Sequence, residues 1–179
     1  ALVLSPGAKA VRPDIPGLDS PRVSTLRTVD DAIRLKSDVD EGASRAVVLG
    51  AGFIGLEAAE ALALRGLDVT VVELATHVLP PLEPELAHLV TQELRAIGVT
   101  VRDGVAATSI EDGPDEATVV LGDGSRIAAD LVVLSVGVRP DTAPFEAAGI
   151  ECERGAIVVD EHGRTSADGV WAVGDAVVA

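Results

Sequence analysis

The sequence contains no tyrosine and no methionine, and only one cysteine, Cys152, among 179 residues. A lone cysteine excludes a disulfide or a Cys-x-x-Cys redox pair within the chain. The missing tyrosine excludes any mechanism built on a tyrosine general acid. Cations are also scarce: Lys plus Arg number 14 against 29 Asp plus Glu, a net charge of −15. A surface that acidic repels phosphate backbones, which argues against nucleic acid as a partner. No apolar run reaches membrane-spanning length and no basic-then-apolar leader is present, so a cytoplasmic protein with no membrane partner is expected. His77, His88 and His162 share no metal-ligand spacing, and no metal is expected. Cys152 lies between Glu151 and Glu153, whose charges oppose a thiolate, so a reactive thiol is not expected. The chain starts inside an apolar run, Ala1-Leu2-Val3-Leu4. It reads as a piece of a longer protein, with a processed terminus as the alternative.

Hydrophobic residues make up 47% of the chain, enough for a substantial core. Residues 1–5 read as a buried strand, and 8–21, with Pro13, Pro16, Gly17 and Pro21, as a linker. Val29, Ala32, Ile33 and Leu35 predict a helix from Thr28 to Asp40, with Thr28 or Asp30 as N-cap. Arg45–Leu49 is a strand of buried type, followed by a helix over 54–65 that stops at Gly66. Val69–Glu73 is the next strand. A helix over 85–97 follows, with Leu86, Leu89, Val90, Leu94 and Ile97 at helical spacing. Val99–Val101 begins a third strand. Residues 105–128 read as an antiparallel meander broken at Gly113-Pro114 and Gly122-Asp123-Gly124. The acids at 111–116 read as a solvated loop. Leu131–Leu134, Ile157–Val159 and Val170–Val173 are further strands, with Trp171 placed in the core. This order predicts an α/β fold: a Rossmann-like doubly wound parallel sheet with a β-meander. One segment echoes another: Leu2-Val3-Leu4-Ser5-Pro6-Gly7 matches Val132-Val133-Leu134-Ser135-Val136-Gly137, 130 positions later. The first copy reads as the end of an earlier, duplicated unit.

Gly50-Ala51-Gly52-Phe53-Ile54-Gly55 fits G-x-G-x-x-G. It follows a strand, opens a helix, and Glu73 stands 18 residues after Gly55 at the end of the next strand. Gly50 permits the tight turn, Gly52 lets the backbone approach a pyrophosphate, and Gly55 lets helix pack on strand. The helix N-terminus then faces the phosphates. Glu73 is placed to accept both ribose hydroxyls of the adenosine half. It repels a 2′-phosphate, and Leu74, Ala75 and Thr76 supply no arginine, so NAD(H) is expected over NADP(H). Glu57, in the first helical turn, suits the helix dipole whether or not it meets a ligand.

The glycine loop, the Val-Val-Glu strand, Leu134-Ser135-Val136-Gly137-Val138-Arg139-Pro140 and Gly169-Val170-Trp171-Ala172-Val173-Gly174-Asp175-Ala176 occur in order. Together they resemble the FAD-dependent pyridine nucleotide-disulfide oxidoreductases. Leu4–Ala8, Val78–Glu85 and Val158–His162 are similar to the coenzyme A-disulfide reductase and NADH oxidase branch. The resemblance implies three segments: 1–21, the end of an FAD domain and a linker; 22–145, an NAD(H)-binding domain; and 146–179, a return segment of the FAD domain. By the same resemblance Asp175 binds the FAD ribityl chain, with Gly7 and Gly174 near the flavin nucleotide. Phe53 covers the flavin and swings aside for NADH, Ile54 and Glu57 flank the nicotinamide, and Gly137 makes a backbone contact to the dinucleotide. The implied reaction passes hydride from NADH to FAD, and electrons onward to a disulfide, oxygen or peroxide through a cysteine upstream. The implied parent is a homodimer, and no catalytic residue lies in this chain. Three alternatives stand beside this: a non-catalytic nucleotide-binding sensor module, the NADH domain of a ferredoxin- or rubredoxin-reductase-type flavoprotein, and a methyltransferase. Against the last, Ile54 breaks the tighter glycine spacing.

Overall fold

A computed structural model describes residues 1–178. The chain divides into two compact units, Ala1–Val11 with the chain from Val138 onward, and Arg12–Gly137. The first unit opens with strands β1 (Leu2–Leu4) and β2 (Ala8–Ala10). Only Leu4 of β1 is buried; Leu2 and Val3 are exposed, which corrects the expected buried strand. β2 is likewise a strand where a linker is expected.

The second unit holds β3 (Val23–Thr25), α1 (Val29–Asp40), β4 (Arg45–Leu49), α2 (Phe53–Leu64), β5 (Asp68–Val72), α3 (Pro84–Ala96) and β6 (Thr100–Arg102). The meander β7 (Ala107–Asp112), β8 (Ala117–Leu121) and β9 (Arg126–Ala129) follows, then β10 (Leu131–Leu134). Within the described residues the parallel sheet runs β3-β10-β4-β5-β6. Strand parity divides its two faces. Ala46, Val48, Val69, Val71, Leu131 and Val133 pack against α1, α2 and α3. Val47, Leu49, Val72, Val132 and Leu134 pack against Ile110, Ala117, Val119, Leu121 and Ala129 of the meander. Both faces are therefore dry, which is why β4 and β10 read as unbroken apolar runs rather than alternating ones. Thr28 caps α1 through a reciprocal capping box with Asp31. The chain passes from β4 outward to β5 and β6 on one side and returns as β10 on the other. The switch in strand order thus falls between β4 and β10.

The first unit resumes with β11 (Val138–Pro140), α4 (Ala143–Ala147), β12 (Cys152–Glu153), β13 (Ala156–Val158), β14 (Val170–Ala172) and β15 (Val177–Val178). β1 pairs in parallel with β14, and β2 pairs antiparallel with β11. That second pairing holds residues 8–10 and 138–140 in the first unit. Residues 12–21 belong instead with the meander: Leu18 is buried among its side chains, and the Ile110 N–H donates to Pro16 O at 2.8 Å. The units therefore change over at Val11/Arg12 and Gly137/Val138, ahead of the expected 21/22 and 145/146. The echo noted in the sequence is also structural. Each copy is a parallel strand ending in a Ser-x-Gly turn, with Gly7 at φ 69° and Gly137 at φ 106°. Trp171 is partly exposed, because the parity of β14 turns Ala172 inward instead. No helix among the described residues is long and apolar enough to cross a membrane.

Candidate functional site

The loop from Gly50 to Gly52 leaves the C-terminal end of β4 at the strand-order switch and runs into α2. Its glycines are required for different reasons. Gly50 has φ 100°, and a Cβ there would lie 2.5 Å from Ser135 O. A Cβ on Gly55 would lie 2.1 Å from Gly50 O. Around Gly52, by contrast, no described atom lies within 4 Å of the Cβ position. That open space is where a ligand can come against bare backbone. Gly52 is the N-cap of α2, and no described side chain caps it. The N–H groups of the first turn are thus left for an acceptor from outside, with the positive end of the helix dipole behind them.

Glu73 stands just beyond β5 and is partly buried. Its Oε2 accepts the Ala51 N–H at 2.7 Å and its Oε1 the Ala75 N–H at 2.8 Å. The carboxylate thereby ties the glycine loop to the loop after β5. Gly137 lies beyond β10, exposed, with φ 106° and no described atom within 4 Å of its Cβ position. Phe53 and Ile54 begin α2 and are 67% and 48% exposed. Glu57 is exposed, but it falls beyond the first turn of α2, which carries no acid. The helix starts at Phe53, one residue earlier than expected, so Glu57 stands farther from the positive end of the helix dipole. Phe53, Glu57, Leu79 and Val90 help line a groove of about 290 Å³ between α2 and α3.

In the first unit, β1 and β14 are parallel neighbours, so Gly7, Gly174 and Asp175 all lie beyond the same edge of that pair. Both glycines have positive φ, 69° and 85°, and Asp175 is exposed.

Burial first, then the charge of Glu146, pushes the Cys152 thiol up; neither flanking acid is responsible. The described residues hold no group of three or more His, Cys, Asp or Glu able to bind a metal ion. Of the acids at 111–116, Glu111 and Asp112 lie exposed in β7 rather than in a loop, while Asp115 and Glu116 lie in the turn after it, Asp115 exposed. Glu111 pairs with Arg126, Asp112 with Arg22 and Glu116 with Arg45. Two residues latch the loop that no motif in the sequence marked for that part. The single Ser135 hydroxyl proton is shared between Leu49 O and Gly50 O, each 3.0 Å from Oγ. The Leu79 N–H, on a residue with φ 47°, donates to Ala51 O at 2.8 Å. The echo marked Ser135 as a turn residue, but only the fold brings it to Gly50.

Residues 1–178 match the family model described as pyridine nucleotide-disulphide oxidoreductase. The chain is 38% identical over 178 residues to an NADH oxidase of Methanocaldococcus jannaschii, covering 98% of this chain and 40% of that protein. Among solved structures it is similar to an NAD-dependent persulfide reductase from A. fulgidus, with TM-score 0.95 and 40% identity over 98% of this chain and 33% of that one. It is also similar to a water-forming NADH oxidase from Lactobacillus brevis bound to NADH, with TM-score 0.92 and 31% identity over 98% of this chain and 39% of the other. The chain thus spans less than half the length of these relatives.

Proposed function

The chain belongs to the pyridine nucleotide-disulphide oxidoreductase family, and from that premise we propose that Arg12–Gly137 is the NAD(H)-binding unit of a flavin-dependent oxidoreductase. The observation that carries this reading is the open backbone at Gly52 beside a carboxylate already fixed at Glu73. The pyrophosphate lies over Gly52, against the uncapped N–H groups of α2. Each carboxylate oxygen of Glu73 has two acceptor sites, so the bonds from Ala51 and Ala75 leave room for the adenosine ribose hydroxyls. An additional 2′-phosphate meets that charge with no arginine at Leu74, Ala75 or Thr76, which favours NADH over NADPH. Ile54, Glu57 and Gly137 flank the nicotinamide, and Phe53, large and exposed, would cover the flavin until NADH arrives. Gly7, Gly174 and Asp175 fit one edge of a flavin nucleotide site, because the bare glycines leave the backbone open beside an exposed acid. Bound FAD would supply the hydride acceptor and the route to a final oxidant, which we assign to the class of disulfides, oxygen or peroxide. The residues of Arg12–Gly137 hold NADH, aim its nicotinamide and keep water from it. An oxidase and a persulfide reductase among the similar proteins share a nicotinamide cofactor and differ in acceptor, which supports assigning acceptor choice to other parts of the parent protein.

Calorimetric titration of the chain with NADH and NADPH tests the reading. NADH should bind at least about tenfold more tightly, since like charges brought together at a site cost more than the roughly 1.4 kcal/mol that a tenfold difference requires. Equal affinities would remove the role given to Glu73, and binding of neither would overturn the nucleotide site. The purified chain should be colourless, because it carries only part of the flavin site; a bound flavin spectrum would contradict that assignment.

A further inference from the structure

Gly50 has no Cβ and sits at φ 100°, so its own stereochemistry does little to fix the orientation of the Gly50–Ala51 peptide. The structure fixes it from outside. The Gly50 N–H donates to Val72 O at 2.8 Å, and Ala51 O accepts the Leu79 N–H at 2.8 Å. Those two are backbone pairs open to almost any sequence. The peptide unit between them is held by side chains at both ends. Its carbonyl, Gly50 O, accepts from Ser135 Oγ at 3.0 Å, and its N–H, on Ala51, donates to Glu73 Oε2 at 2.7 Å. Ser135 is anchored in turn by its own N–H, which donates to Leu49 O at 2.8 Å. A Cβ on Gly55 would lie 2.5 Å from Ser135 Oγ as well as 2.1 Å from Gly50 O. The third glycine of the loop therefore makes room for this hydroxyl, not only for the approach of helix to strand.

We propose that Ser135 is a positioning residue for dinucleotide binding: with Glu73 it clamps the Gly50–Ala51 peptide in the orientation that NADH requires. The clamp rests on the NAD(H) reading above for its purpose, but its geometry exists without ligand. Without the hydroxyl, Gly50 O loses its side-chain donor and the peptide is free to turn. In the turned state a carbonyl oxygen faces the Glu73 carboxylate, and the Ala51 N–H no longer holds that carboxylate toward the ribose. NADH then binds only the fraction of molecules with the peptide correctly set, and its affinity falls by that fraction.

The test combines S135A, E73A and the double variant in this chain, with two readouts. NADH affinity is measured by calorimetry, and amide hydrogen exchange is followed by NMR without ligand. S135A should weaken NADH binding about fivefold, the effect of one ordinary hydrogen bond. In the E73A background the same change should cost less than about twofold, because the clamp has already lost one end. Exchange at the Ala51 amide should rise about tenfold in S135A while that of Val71 in β5 stays constant; a general loss of stability would raise both. Should S135A not fold, S135C keeps a side chain of similar size with a weaker donor and should show both effects in smaller measure. Parent-like affinity and parent-like Ala51 exchange, or losses that multiply fully between S135A and E73A, would overturn the clamp. If the parent chain fails to bind NADH, the nucleotide reading falls, and ligand-free exchange at Ala51 still decides the clamp.

Discussion

The two ends of the β4–β10 pair use polar groups in opposite ways. At the N-terminal end, Arg45 and Asp130 close on each other. The Arg45 guanidinium reaches Asp130 Oδ1 at 2.6 Å and Glu116 Oε2 at 2.7 Å, and Asp130 Oδ2 also accepts the backbone N–H groups of Ser44 and Arg45 at 2.9 Å. At the C-terminal end, five residues further along each strand, Gly50 and Ser135 pin one peptide while Gly52 and the first turn of α2 stay open. One end satisfies its polar groups internally and contributes to stability. The other fixes a few groups so that the rest can meet a ligand. A sheet buried on both faces makes this division possible, because its strands hold both ends in register.

Four changes sharpen or break that contrast. The largest effect belongs to Gly55→Val at the open end. A Cβ 2.1 Å from Gly50 O forces helix and loop apart, which should cost about 2–4 kcal/mol of stability and abolish NADH binding. Thermal melts and calorimetry on the same preparation would show it, and a variant that still binds NADH like the parent would refute the packing role of this glycine.

Asp130→Asn tests the closed end. It should destabilise the chain by about 1–3 kcal/mol and leave NADH affinity within about twofold. Burial pushes the Asp130 carboxyl up, but the Arg45 guanidinium and the N–H and hydroxyl of Ser44 outweigh it and hold the group well below the usual carboxylate range. A folded-state pKa depressed in this way adds stability above the unfolded value of about 4, and that contribution fades as the pH falls toward the folded value. Denaturant midpoints from about pH 6 down to about pH 3 should therefore fall less steeply for Asp130→Asn than for the parent. Parallel curves would show that this end does not set the acid limb.

Glu73→Ala should lower NADH affinity and narrow the preference over NADPH to about threefold or less. An unchanged preference would move the discrimination elsewhere. The smallest effect on the chain itself is expected from Phe53→Ala, since a ring 67% exposed adds little packing. On the function proposed above, its consequence should appear in a complete flavoenzyme carrying this chain, as altered flavin reduction and oxygen leakage in rapid-reaction traces. Traces that overlay the parent's would leave Phe53 as packing alone.

What the sequence disclosed was local. Strand, glycine loop and helix are consecutive in the chain, and each glycine carries its own backbone reason. Glu73 was legible because it lies at a fixed offset along the next strand. The flanking strand β3 was not, because Val23-Ser24-Thr25 is short, mostly polar and preceded by prolines. β2 was hidden in the same way, since its partner β11 lies 130 residues further on. The ion pairs of Arg45 join residues 71 and 85 positions apart, so neither periodicity nor motif announces them. Ser135 was visible only as half of an echo. Its part in the loop depends on β10 returning beside β4, which is topology rather than pattern.

The pairing of β2 with β11 has an engineering consequence. Ala10 sits opposite Val138, so the chain enters and leaves Arg12–Gly137 through two adjacent residues. A segment whose ends meet needs only a short bridge to close it, and the entropy of that closure is small. Arg12–Gly137 is thus built as a removable cassette. That geometry suits excision as one uninterrupted polypeptide, circular permutation by joining its ends, or insertion into a surface turn of an unrelated host whose own backbone separation matches that of neighbouring strands.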